Sequence, residues 1–259
     1  MSSLSESIKE SFRNQRTHLA TSDVRFSRIL IGTDFSRPAA RALQLAVAIA
    51  ATFNSEIYIV HAVQPLLYGD GQTPMPVEIL YAQFEAAKHD INQLVSSEPR
   101  LAGLRFRTAV DYGGALDLIN RVAKEEKVTL IVLGSHEASG FEKVMLGSVS
   151  ETVLRRSSCP VLIVGPNCHV ESYPFRSILF ATDLKTTGLR AAQYASALAE
   201  HVDGRLTLLH VIEKRPEKPG FDLDIYEKGL RESWAVFSPQ MLNHSVVPTS
   251  AWSMVYQAG

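Results

Sequence analysis

Cysteine is scarce in this chain. Cys159 and Cys168 are the two it has, too few for a disulfide framework or a four-ligand metal set. An excess of one charge is also missing: 26 Lys and Arg stand against 27 Asp and Glu. The bulk electrostatics therefore give no reason to expect nucleic acid or an anionic membrane as a partner. No apolar run is long enough to span a bilayer. The longest, Ala42 to Phe53, covers about half a span and contains Gln44. The N-terminus, "MSSLSESIKESFRNQR", lacks the apolar stretch of a secretory signal. The expectation is a cytoplasmic protein with no membrane and no nucleic-acid partner.

Catalytic signatures are missing as well. There is no Gly-x-x-x-x-Gly-Lys-Ser/Thr loop, and "YGDGQTP" offers no Gly-x-Gly-x-x-Gly. Nucleophile elbows, His-Glu-x-x-His and paired Cys-x-x-Cys are absent too. Binding is therefore better supported than turnover, and no catalytic or metal residue is assigned.

What the chain does contain is a repeat. "RILIGTDFSRPAARALQLAVAIAATFNSEIYIVHAV" and "SILFATDLKTTGLRAAQYASALAEHVDGRLTLLHVI" match in kind and spacing. Each has a β-rich apolar run ending in Thr-Asp, an Ala-rich helical stretch, and a second apolar run ending in His. His61 follows Asp34 by 27 residues, His210 follows Asp183 by 27, and the copies are offset by 149. A period of that size means two domains and not a solenoid.

The alternation continues in the first copy. Val77, Leu80, Tyr81, Phe84, Ile91, Leu94 and Val95 recur at helical spacing. "RFRTAVDY" reads as a strand with Phe106, Thr108 and Val110 on one face. Leu116, Ile119, Val122 and Ala123 give a short helix. "VTLIVLG" has the continuous apolar character of a strand covered on both faces. "SVSETVLRRS" reads as a helix opened by a capping box, Ser148 with Glu151, and "CPVLIVG" as a last strand. Strands alternating with helices imply an α/β fold with a parallel sheet. In the second copy "KGLRESWAVF" reads as a helix remnant. "AWSMVYQAG" reads as the counterpart of "FRTAVDYGG", after which the pattern stops. The expected organisation is a polar extension over 1–24, a first domain over 26–165, a linker over 166–175 and a shortened second domain over 176–259. The second should be the less stable half, because its sheet lacks two strands and exposes an edge.

Ligands of open parallel sheets bind beyond the carboxyl ends of the strands, where strand order reverses. Asp34, His61-Ala62 and Gly134 end three of the strands, and Gly147-Ser148 opens a helix whose amides suit a phosphate. Each residue also has a structural reading. Asp34 can close a turn or cap a helix, and His61 can be a packing histidine. His136 can face solvent, and Ser148 can serve only as a cap. Cys159 reads as buried and Arg155-Arg156 as a solvated helix end.

"ILIGTDFS", "IYIVHAV" and "GSHEASGFEKVMLGSVSETVLRRSSCPVLIV" resemble the universal stress protein family, over about 26–165 as a full domain and 176–213 as the opening of a second. The resemblance implies an open five-stranded parallel sheet with helices on both faces, a Rossmann-like fold of the adenine nucleotide alpha hydrolase kind, here duplicated with an incomplete second copy. One branch of the family binds ATP through Gly-x-x-Gly, nine residues, then Gly-Ser or Gly-Thr. By position this chain supplies Gly134, then Glu137 in the second glycine's slot, then Gly147 and Ser148; Gly140 stands three residues too late. The implied nucleotide set is Asp34, Ala62, Leu133, Gly134, His136, Glu137, Gly147, Ser148 and Val149, with ATP and its Mg²⁺ as ligand. Glu137 would add a negative charge beside the phosphates. At an effective dielectric near 20, two unit charges 4 Å apart repel by about 4 kcal/mol. Three readings follow: a stress-response regulator that binds adenine nucleotide without efficient turnover, a dimerisation or adaptor protein with a degenerate loop, and a slow ATPase. The resemblance also implies a homodimer through the Cys159–Val164 strand, and regulatory protein partners of unknown identity.

Overall fold

The computed structural model describes residues 24–64, 76–135, 147–165, 167–170, 174–182, 189–211, 244–249 and 253–258. Arg25–Pro174 form one compact unit, and Phe175–Gly259 belong to a second.

The first unit runs β1 (Arg28–Gly32), α1 (Arg37–Phe53), β2 (Glu56–Val63), α2 (Val77–Ser96), a 3-10 turn (Pro99–Gly103), β3 (Arg105–Tyr112), α3 (Ala115–Glu125), β4 (Leu130–Gly134), α4 (Ser148–Arg156) and β5 (Val161–Val164). Its sheet has the order β3-β2-β1-β4-β5, and every neighbouring pair is parallel. The register sets Leu30 beside Tyr58 and Ile131. These three pack with Val60 and Leu133 against Leu118, Ile119 and Val122 of α3 and Val153 of α4. Ile29, Ile31, Ile57, Ile59 and Val132 alternate with them along the strands and are also buried, on the opposite face. Burial on both faces is why the central strands read as unbroken apolar runs.

α1 begins where Ser36 caps it and Pro38 enters its first turn, and it ends at Asn54 in the left-handed region, φ 52°. α2 departs from the expected apolar face. Only Ala87 and Ile91 are buried, whereas Val77 is 74% and Tyr81 63% exposed. The reason is the helix's position. Tyr112, at the end of edge strand β3, stacks on Phe84 at 4.9 Å and donates to the Leu80 carbonyl, so the turn before Leu80 runs past the sheet. Phe106 and Thr108 are likewise exposed, because β3 is an edge strand.

The second unit contains β6 (Ser177–Ala181), α5 (Leu189–Val202), β7 (Arg205–Val211), β8 (His244–Thr249) and β9 (Ser253–Ala258). β6 and β7 are parallel, as β1 and β2 are. Local bonds recur at the offset of 149. Thr33 N–H donates to Val60 O at 3.0 Å and Thr182 N–H to Leu209 O at 3.0 Å. Glu56 N–H donates to Ser27 O at 2.9 Å and Arg205 N–H to Arg176 O at 2.7 Å. The left-handed Asn54 has its counterpart in Asp203, φ 50°.

The third strand corrects the sequence reading. The segment read as the counterpart of β3 does lie beside β7, but as antiparallel β9, and the sheet order is β6-β7-β9-β8. Only residues 250–252 separate β8 from β9, and so short a connection can only turn the chain back on itself. A parallel partner would need a crossover. "KGLRESWAVF" lies outside the described residues. No helix among the described residues is long and apolar enough to cross a membrane.

Candidate functional site

β1 has β2 on one side and β4 on the other, so the strand order reverses there. A cleft of about 640 Å³ opens at the carboxyl ends of these three strands. Its size is within the range of small-molecule sites.

The first wall is the corner after β1. Thr33 Oγ1 accepts from Phe35 N–H at 3.0 Å, and Asp34 Oδ1 accepts from Ser36 N–H at 3.0 Å. Phe35 is in the left-handed region, φ 61°, a strained conformation for a bulky residue. β2 holds the corner in place. His61 Nδ1 lies 2.8 Å from Thr33 O, and because a carbonyl only accepts, Nδ1 carries the proton. The His61 and Phe35 rings are 4.4 Å apart. His61 therefore positions the corner and does not border the cleft. Asp34 closes a turn, as one of its structural readings anticipated, and its exposed side chain borders the cleft.

The second wall is the end of β4 and the start of α4. A Cβ on Gly134 would lie 2.6 Å from the Pro38 carbonyl carbon, so glycine here lets α1 lie against the strand end. Ser150 Oγ donates to Gly134 O at 3.1 Å and ties α4 to β4. Ser135 follows, 2% exposed, and its hydroxyl has no hydrogen-bond partner among the described residues.

The capping box read at Ser148 is not formed. Gly147 is the N-cap, no side chain caps the helix, and Glu151 pairs with Arg155 at 2.9 Å instead. With Ser148 already inside the helix, Glu151 stands one residue too far along to reach back to the cap, and Arg155 lies one turn away on its own face. The consequence is that the first amides of α4 face the cleft without a side-chain acceptor.

Seven of the sequence-selected residues, Asp34, Ala62, Leu133, Gly134, Gly147, Ser148 and Val149, border this one cleft. His136 and Glu137 lie outside the described residues, as does Asp183. The sequence reading missed Ser36, Arg37, Ser135 and Ser150, and the apolar contribution of Leu118 and Ile119 from α3. "SRP" after Asp34 was a usable signal, since Ser before Pro marks a helix start and places Arg37 at the site. The α3 contribution had no signal, because it depends on strand order. Among the described residues, the cleft thus offers an apolar floor, one carboxylate, one guanidinium and a set of amide and hydroxyl donors. Among the described residues, no group of three His, Cys, Asp or Glu could hold a metal ion.

Comparison with known proteins agrees with this architecture. The sequence profile of the Universal stress protein family matches residues 25–165 and 174–235. Universal stress protein YxiE of Bacillus subtilis is 34% identical over 146 residues, covering 54% of this chain and 99% of YxiE. Universal stress protein MJ0531 of Methanocaldococcus jannaschii is 29% identical over 143 residues, covering 54% of this chain and 82% of MJ0531. A solved universal stress protein from Archaeoglobus fulgidus shares the fold across 82% of this chain and 75% of its own, with a TM-score of 0.58 and 23% identity. With a profile match across both copies and the parallel β3-β2-β1-β4-β5 sheet of the first, the chain belongs to the universal stress protein family.

Proposed function

We propose that the first unit binds an adenine nucleotide, ATP with its Mg²⁺ being the leading ligand, and acts as a cytoplasmic stress-response regulator without efficient turnover. The observation that carries this reading is the uncapped start of α4 opposite Asp34 across one cleft. Amides at a helix N-terminus receive phosphate oxygens. Asp34 accepts hydrogen bonds from a base or ribose, and Ala62, Leu118, Ile119 and Leu133 offer apolar surface to the ring. Asp34 is the only carboxylate bordering the cleft among the described residues, and its Oδ1 is engaged by Ser36, which favours binding over hydrolysis.

Glu137 favours a second reading, an adaptor with a closed nucleotide site. Calorimetric titration of Mg-ATP into the native chain and into Glu137→Gly separates the two. Micromolar binding by the native chain supports the nucleotide reading. Binding by Glu137→Gly alone supports the adaptor, and binding by neither rejects the nucleotide site. Asp34→Ala should weaken native binding about tenfold, the usual worth of a charge-assisted hydrogen bond. For assembly we propose a homodimer through Cys159–Val164. Among the described residues β5 is the edge of its sheet and bonds only β4, which supports pairing with a second copy. A monomeric mass in solution would reject it.

A further inference from the structure

Asp34 and Arg37 are the charged residues bordering the cleft among those described. Arg37 opens α1, whose first turn contains no acidic residue. The helix macrodipole opposes a cation at that end, and Arg37 has no ion-pair partner among the described residues. Stability of α1 therefore does not account for it.

Two further groups point the same way. The Ser135 hydroxyl is buried against the cleft without a hydrogen-bond partner among the described residues, an arrangement that is costly unless a ligand or water completes it. The first amides of α4 lack a side-chain cap. All three border the one cleft, and the backbone segments that carry them meet at Gly134. Arg37 precedes Pro38, whose backbone abuts Gly134. Ser135 follows Gly134 in the chain, and Ser150 bonds its carbonyl.

We infer that Arg37 selects the ligand by charge: its guanidinium, the Ser135 hydroxyl and the α4 amides hold a phosphate group, so the cleft takes phosphorylated nucleotides in preference to the free nucleoside. This rests on the nucleotide reading of the cleft. Guanidinium suits the task, since its donors match phosphate oxygens in pairs.

The test is titration of ATP and, separately, adenosine into the full chain, Arg37→Ala, Arg37→Lys and Ser135→Ala. Arg37 is exposed, so its replacements should fold. The native chain should prefer ATP by about ten- to hundredfold, and Arg37→Ala should remove most of that preference while leaving adenosine affinity within about twofold. Arg37→Lys should restore part of it, and Ser135→Ala should weaken ATP by about three- to tenfold. Equal ATP affinity in the native chain and Arg37→Ala overturns the inference while the nucleotide site stands. Equal loss of ATP and adenosine in Arg37→Ala also overturns it. Failure of the native chain to bind either compound removes the nucleotide reading and this inference with it.

Discussion

Gly134 and Pro38 meet backbone to backbone: the α-hydrogen side of Gly134 faces the Pro38 peptide so closely that a Cβ would fall 2.6 Å from its carbonyl carbon and 2.8 Å from its oxygen. Gly134 is not in the left-handed region, so the need for glycine is one of packing and not of turn geometry. Gly134→Ala should cost about 1–3 kcal/mol of stability in the first unit, since peptide backbone cannot move aside as a side chain does. Calorimetric unfolding would show it. An unchanged Tm would mean that α1 does not rest on β4 as described.

Tyr58 gives an alkaline signature. It is buried, donates to Glu126 Oε2 at 3.0 Å, and its phenol is pushed up to about 12, first by burial and then by hydrogen bonds to Glu126 and Glu56. The unfolded chain ionises this group near its ordinary value of 10.0. The raised value therefore contributes stability that is fully present below about pH 10 and is lost as pH rises through about 12. Denaturant midpoints measured across that window should fall for the native chain and fall less for Tyr58→Phe. Identical slopes would remove Tyr58 as the cause.

Glu98 works in the opposite direction. Its two carboxylate oxygens accept from Arg100 Nε at 2.7 Å and Nη2 at 2.8 Å, and Arg100 holds its carboxyl below the ordinary value despite burial. The stability this contributes is present above the ordinary carboxylate value and lost as pH falls through the depressed one. Arg100→Ala should cost about 1–3 kcal/mol near neutral pH, because it leaves a buried charge without a partner. The cost should shrink in acid, where Glu98 becomes neutral. A cost that does not change with pH would assign the loss to packing.

The two halves should differ in lability. Ala195, Ala199 and Leu206 form a small core cluster with Ile178 and Phe180 in the second unit, and among the described residues β6 bonds only β7, with Leu179 62% exposed. Limited proteolysis should cut within residues 176–259 before it cuts β1, β2 or β4. Equal resistance of the two halves would contradict this.

The sequence carried the first sheet well, because continuous apolar runs such as "LIVL" and the Ala-rich α1 have only one comfortable reading. It carried the cleft walls through Asp34, Gly134 and Gly147, which all sit at ends of elements. It misplaced the α4 cap by one residue, since Gly147 and Ser148 are both acceptable N-caps and only backbone geometry separates them. It gave β9 the wrong direction because side-chain alternation has the same period whichever way a strand runs. It overstated the burial of α2 because helical spacing reveals a face but not whether the sheet beneath extends far enough to cover it. Ser135 left no trace, as a missing hydrogen-bond partner is a property of surroundings and not of composition.

The bonds that recur 149 residues apart have a consequence for how the chain folds. Each joins elements of a single strand–helix–strand segment, and the second copy forms the same bonds although no strand equivalent to β4 or β5 lies beside β6 among the described residues. The segment therefore closes its turns with contacts that are near in sequence, where loop closure is entropically cheapest. It has the character of a cooperative folding unit, stabilised by bonds internal to the segment.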